Sequence, residues 1–337
     1  MKTKINLFFV ITLLALNCWG QVSNNKLQST FEVNQELQCK WNMVDGIPYS
    51  KVPGANLGAT SFEPLENNKI AFLCNSTSEI IVINTIDGKK INKFPVIFAP
   101  RDFVYDDGLF YVLCEKQVIV YDKNGKEKNK IPFPDKYLGT ERITRFNNLT
   151  YLLLPSGNSL KIEDNGNSIT PIEYSGWITL SGKYIKTQLK GENAYSITAV
   201  LIKGKINKKE FLSENKIAGV YVVGSTKNRI ILDVQTYISE NPIKIERKIV
   251  TIEVTKTGIG NIIAEIKIPD VYYVLSNKDF SLFANGMLYN MVSSPEGVSV
   301  FSLTEIKKSN KSNVNGYPKT LIDKKYHFND NLLKVEE

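Results

Sequence analysis

The chain has one histidine, His327, among its 337 residues. Zinc sites built on two or more histidines of the same chain are therefore excluded. Cysteine is nearly as scarce: there are four, none adjacent to another and none in a C-x-x-C pair. This argues against zinc ribbons and thioredoxin-type centres. The nucleophile elbow G-x-S-x-G, the H-E-x-x-H zinc motif, the Walker A loop and the dinucleotide glycine pattern are all absent. Long windows show no helical periodicity. His327 itself lies near the C-terminus, outside any repeat, where a packing or surface role is expected.

With 42% hydrophobic and 23% charged residues, the chain is composed like an ordinary globular protein. Its first twenty residues stand apart. Lys2 and Lys4 precede an apolar stretch over residues 5–16 that is interrupted by Asn6 and Thr12. Cys18 and Gly20 then sit three and one positions before a cut ahead of Gln21. This predicts a cleaved signal peptide over residues 1–20, too short in its apolar part to span a bilayer. The competing reading is a lipid anchor on Cys18, although Asn17 stands where a lipobox carries a small residue. No later apolar run reaches transmembrane length, so a periplasmic or extracellular product is expected.

Without Lys2 and Lys4, 40 basic residues face 34 acidic ones, and the net charge falls from +8 to +6. The excess is spread along the chain in clusters such as residues 126–130, 203–209 and 307–311. These read as solvated turns, and with export they argue against a nucleic-acid partner. Cleavage would leave Cys39, Cys74 and Cys114, an odd number. They read as small buried strand residues, with a bridge between repeats through Cys74 and Cys114 as the alternative.

Period carries the strongest signal. A β-rich run followed by a glycine turn recurs at Asp87-Gly88, Asn124-Gly125, Asn165-Gly166, Gly204 and Thr257-Gly258, with intervals of 37, 41, 38 and 54 residues. A sixth run over residues 298–304 has no glycine. Asp-Gly and Asn-Gly between alternating apolar residues predict hairpins. Further β runs lie upstream of most of them, giving four strands per unit of about forty residues. The fold class expected is all-β, a β-propeller of four-stranded antiparallel blades. Six blades are expected, or seven if both terminal segments combine into another. Residues 21–56 are expected to supply a ring-closing strand, residues 57–306 the blades, and residues 307–337 a tail or closing segment.

The segment Gly108-Leu-Phe-Tyr-Val-Leu-Cys, Val118-Ile-Val-Tyr-Asp-Lys-Asn-Gly-Lys and Ile131-Pro-Phe-Pro resembles the blades of secreted bacterial β-propellers of the quinoprotein-like and NHL-like six-bladed superfamilies. The resemblance spans about residues 57–306 and implies architecture alone. A quinone cofactor is not implied, because no Trp recurs at blade ends and no adjacent cysteines occur.

In such a ring, function is expected at the mouth of the central channel and on the loops of one face. The expected channel-mouth residues are Arg101, Asp102, Glu141, Arg142, Arg145, Trp177 and Asp279. Residues 238–246 fall in the longest interval and are expected to form an extra binding loop, with Ile238, Glu240, Asn241 and Lys244 in contact with a ligand. The competing reading is that the channel charges simply satisfy one another. Calcium has no motif: Asp122 and Asn124 resemble the start of an EF-hand loop, but Phe133 occupies the position of its glutamate. No cofactor is expected, the alternative being a calcium ion that a channel carboxylate such as Asp102 or Asp279 helps to hold. The function expected is an exported, non-catalytic and monomeric platform for an envelope protein, peptide or glycan. The alternative is a lactonase- or lyase-type enzyme with a metal held by Asp102, Glu141 and Asp279.

Overall fold

The computed structural model describes residues 27–162, 172–200, 206–269, 273–283, 285–307, 315–319 and 321. The leader, Cys18, the Asn165-Gly166 and Gly204 turns and His327 lie outside the described residues. Six four-stranded antiparallel sheets form a propeller ring, and there is no seventh blade among the described residues. From the axis outward, blade 1 is Ala59–Leu65, Lys69–Cys74, Glu79–Asn84 and Lys90–Pro95. Blade 2 is Asp102–Asp106, Leu109–Leu113, Gln117–Asp122 and Glu127–Pro132. Blade 3 is Arg142–Phe146, Leu149–Leu153, Asn158–Ile162 and Ile172–Ser175. Blade 4 is Trp177–Ile178, Tyr184–Leu189, Ala194–Val200 and Ile206–Leu212. Blade 5 is Ile217–Ser225, Arg229–Glu240, Ile243–Thr255 and Gly258–Ile268.

Blade 6 takes three strands from one end of the chain, Phe280–Leu282, Leu288–Ser294 and Gly297–Lys307, and its outermost strand, Ser29–Cys39, from the other. This explains why the sixth β run lacks a glycine. Its outer partner arrives from the N-terminal side, so no hairpin follows it. The closing strand buries Phe31, Val33, Leu37 and Cys39, and its pairing runs from Ser29 opposite Lys307 to Cys39 opposite Val298.

In blades 1, 2 and 5 the third-to-fourth turn is short. At Asn124-Gly125 the glycine takes φ +79° and packs against Phe94, where any side chain would collide. The carboxylate of Asp122 accepts the Asn124 and Lys126 amides at 2.9 and 3.0 Å. These backbone bonds lower its pKa. The residue that opens the calcium-like pattern is thus engaged by its own turn.

Strand alternation places apolar side chains on both faces of each blade, and neighbouring blades bury them against each other. Phe62, Phe72, Phe103, Phe110 and Phe301 are fully buried, each contributing roughly 1.5–3 kcal/mol. The interface between blades 3 and 4 is thinner, its buried cluster consisting of Tyr151, Leu153 and Ile178. No helix among the described residues is long and apolar enough to cross a membrane.

Cys39, Cys74 and Cys114 are free and buried between blades. Burial pushes the Cys39 and Cys114 thiols up to about 12 and raises Cys74 as well. The native state therefore keeps these protons after the unfolded chain, with thiols near 8.5, has begun to lose them. Their stabilisation is complete below the unfolded value and declines as pH rises towards 12. Urea unfolding at pH 7.5 and 9.5 is expected to show a loss of about 1 kcal/mol per buried thiol. Cys114→Ala should remove one such increment, and an unchanged pH slope in that variant would contradict the assignment.

Candidate functional site

Because the strands of a blade alternate in direction, its second-to-third turn shares one face of the ring with the connections between blades. This is called the upper face here, and the remaining hairpins lie on the lower one. Most connections are several residues long, such as residues 96–101 between blades 1 and 2 and residues 133–141 between blades 2 and 3. Between blades 3 and 4 a single residue, Gly176, separates Ser175 from Trp177. Gly176 takes φ +99°, and a Cβ there would lie 2.9 Å from the Ile185 nitrogen. So short a connection leaves too little chain for a full innermost strand, and the strand of blade 4 has two residues where those of blades 2 and 3 have five.

The missing half-strand leaves a cavity of about 480 Å³ on the upper side. Its walls include Glu141, Arg142, Trp177, Lys186, Thr187 and Tyr221. Below it the axial channel holds a second volume of about 280 Å³. Arg142, Leu153, Trp177 and Val222 line both and form the partition between them. At that partition the Arg142 guanidinium lies 5.8 Å from the Trp177 ring centre, within cation–π range. The indole N–H of Trp177 donates to the Leu154 carbonyl at 3.0 Å. Lys186 reaches from blade 4 to Asn158 Oδ1 of blade 3 at 3.1 Å. Tyr221 is exposed on the rim.

The cavity thus gathers Glu141, Arg142 and Trp177, and the other channel residues lie elsewhere. Asp102 is fully buried. Its Oδ1 accepts Ser61 Oγ at 2.5 Å and pairs with Lys278 Nζ at 3.1 Å. Its Oδ2 accepts the Ile143 amide at 3.0 Å and lies 3.6 Å from Arg142 Nε. Groups from other blades and the connection into blade 6 enclose this carboxylate. Lys278 also binds Glu63 Oε1 at 2.8 Å and the Phe103 carbonyl.

Arg145 is likewise buried, held by Asp106 and Thr150 at 2.7 Å and stacked over Tyr111. Asp279 pairs with Arg247 at 2.8 Å, and Arg247 also binds Asp233. Arg145 and Asp279 are both engaged by protein counter-ions, because an ion inside a packed ring needs a counter-ion more than an opening. Arg101 lies beside the mouth, donating to the Thr140 carbonyl at 3.0 Å.

Residues 238–246 form no loop. Arg229–Glu240 and Ile243–Thr255 continue as strands to a turn at Asn241-Pro242, whose peptide bond is cis. The 54-residue interval comes from longer strands, because the alternation of residues 229–255 continues past the ring's edge. Ile238 and Ile243 are exposed on this hairpin, Lys244 pairs opposite Ser239, and Asn241 caps the tip. Glu240 is held by Lys216, which also binds Glu192 of blade 4.

Lys186, Thr187, Tyr221 and Asn277 of the cavity wall were not anticipated. Lys186 and Thr187 lie on the strand that a full innermost strand of blade 4 would pair with, Tyr221 lies on the innermost strand of blade 5, and Asn277 lies in the connection into blade 6.

No family model and no curated protein sequence matches the chain. Solved structures with a similar backbone include hydrazine synthase of Kuenenia stuttgartiensis, at 15% identity and TM-score 0.47 over 75% of this chain and 78% of that one. Virginiamycin B lyase from Staphylococcus aureus is 13% identical, with TM-score 0.43 over 82% of this chain and 100% of that one. The Cps50 (Swd1) β-propeller domain of Myceliophteria thermophila is 12% identical, with TM-score 0.45 over 80% and 98%. The likeness is one of fold, and no activity or partner passes from these proteins to this chain.

Asp102 is a structural hub, and Asp102→Ala should cost about 3–5 kcal/mol in urea unfolding, because the change removes one counter-ion of the buried Lys278 and leaves Ser61 Oγ and the Ile143 amide without their acceptor. Glu141→Ala, on the exposed rim, should stay within about 0.5 kcal/mol of the wild type. Equal effects at the two positions would overturn the distinction.

Proposed function

We propose that the chain is an exported, non-catalytic β-propeller serving as a rigid platform for a protein partner in the cell envelope, engaged at the cavity over blade 4. The carrying observation is the contrast between two sets of polar groups. Asp102, Arg145, Arg247 and Lys278 are buried and held in contacts between blades. Arg142, Lys186 and Tyr221 line an open cavity on a face built of turns. A rigid ring with an open, mixed polar and aromatic cavity suits binding.

Export is supported by the lysine-led apolar segment within residues 1–20. The non-catalytic part is supported by the positions of Asp102 and Asp279, two carboxylates that a metal-assisted lactonase or lyase would draw on, each engaged by buried cations. A protein partner is favoured over a glycan by the surrounding surface. Leu189, Leu212, Tyr221, Ile238 and Ile243 of blades 4 and 5 expose 46–76% of their surface, apolar side chains of a kind suited to a protein interface. The Trp177 indole is covered by Arg142 rather than offered flat to a sugar ring.

A photoreactive amino acid at position 221 is expected to crosslink one discrete envelope protein in living cells. The same group at position 86, on the lower face, should give no such product. Filling the cavity by Ser156→Trp should reduce the position-221 product at least tenfold. Equal crosslinking from both faces, or none from either, would contradict the proposal.

A further inference from the structure

The truncated strand of blade 4 also exposes a β edge. Tyr184–Leu189 pairs with Ala194–Val200 along its whole length, from Tyr184 opposite Val200 to Leu189 opposite Tyr195. On its inner side it pairs only through Ile185 with Trp177 and Tyr184 with Ile178. Residues 186–189 therefore have no inner partner strand. The direction of their main-chain groups follows from the adjoining turn. The Lys190 amide donates outward to the Ala194 carbonyl at 2.8 Å. Antiparallel pairing alternates, so Gln188 and Lys186 also direct their N–H and C=O groups outward. Those of Thr187 and Leu189 point inward.

Blade 6 shows how such an edge is otherwise covered. Its innermost strand has three residues, but the connection leading into it continues the contact. The Asp279 carbonyl accepts the Met291 amide at 2.8 Å, and Val274 is bonded to the Ser293 hydroxyl. Blade 4 has Gly176 in place of that connection, and Thr187 borders the cavity instead. Unpaired edges in native sheets are ordinarily blocked or twisted away, because they invite strand addition.

Polarity and charge define what would fit. A segment replacing the missing half-strand runs antiparallel to Lys186–Leu189, as the remaining stub does, and so enters from the upper face and ends above Trp177. At that floor stands Arg142, whose buried Nε donates no hydrogen bond and lies 3.6 Å from Asp102. Lys186 flanks the same cavity. The descending end of the segment therefore meets a guanidinium held from behind by Asp102, and the cavity wall carries two cations, Arg142 and Lys186, against one carboxylate, Glu141. That balance complements a carboxylate.

The geometry points to a strand-addition site: the cavity binds the C-terminal three or four residues of a partner protein, main chain against Thr187 and Leu189, with the terminal carboxylate on Arg142. This rests on the platform reading and deepens it by naming the recognised group. Main-chain pairing supplies affinity that depends little on sequence, and the carboxylate fixes register.

The test uses the purified chain and a bead library of random acetylated tetrapeptides, each prepared as the free acid and as the amide. Binders are expected among the free acids, with at least tenfold weaker binding of the matching amides. Methylating the peptide nitrogen that faces the open edge should weaken binding comparably. Arg142→Gln should abolish the preference for free acid over amide, with Arg142→Lys intermediate. Lys186→Gln does not touch Asp102, so it checks the charge requirement if the Arg142 variants fold poorly. It should weaken binding severalfold.

Absence of binders, or binders indifferent to amidation, would overturn the inference. If the position-221 crosslink persisted in that case, the platform would stand and its recognition mode would be different. If the crosslink failed as well, both would fall. Binding of an acidic oligosaccharide that the peptides cannot displace would also overturn it.

Discussion

One buried carboxylate holds the centre of this ring. Asp102 belongs to blade 2, yet it is met by Ser61 of blade 1, by Arg142 and the Ile143 amide of blade 3, and by Lys278 from the connection into blade 6. A carboxylate and an ammonium removed from water are costly unless nearly every lone pair and proton is matched. The matching is possible only when four blades are in register. The network does for the axis what Ser29–Cys39 does for the rim, where the last blade is completed by the chain's other end. Arg145 and Arg247 repeat the device at the boundaries of blades 2 and 3 and of blades 5 and 6.

That rigidity makes the irregularity at blade 4 tolerable. A one-residue connection removes half of an innermost strand and thins the core between blades 3 and 4. In an isolated sheet such a loss would invite collapse or slippage. Here Thr187 Oγ1 bonds the Val220 carbonyl of blade 5, and Lys183 binds the Thr226 and Lys227 carbonyls, so the damaged blade is held by its neighbour. The ring can therefore keep open a cavity and an unpaired edge that would otherwise have to be filled.

The blade repeat was legible because its signals are local. Positive φ at Gly88, Gly125 and Gly258 is a property of a few adjacent residues, and strand alternation needs only a short window. Buried ion networks are not local. Nothing around Asp102 in the sequence distinguishes a channel carboxylate from one sealed by residues 41 and 176 positions away. The extended hairpin of blade 5 was misread as a loop because Asn241-Pro242 resembles a loop composition, although Ile238, Ile243 and Ile245 continue a strand pattern. The defect in blade 4 was hidden because the 38-residue interval from Gly166 to Gly204 falls within the range of the neighbouring intervals, 37 and 41.

The central claim is that a latched ring carries an open β edge inside blade 4. Amide hydrogen exchange in the free protein, read residue by residue, tests it most directly. In an otherwise well-protected ring, the amides of Thr187 and Leu189 should exchange at least a hundredfold faster than those of Lys186 and Gln188, which are bonded to the third strand. Comparable protection at all four positions would mean that the edge is already covered, and the account would be wrong at its centre.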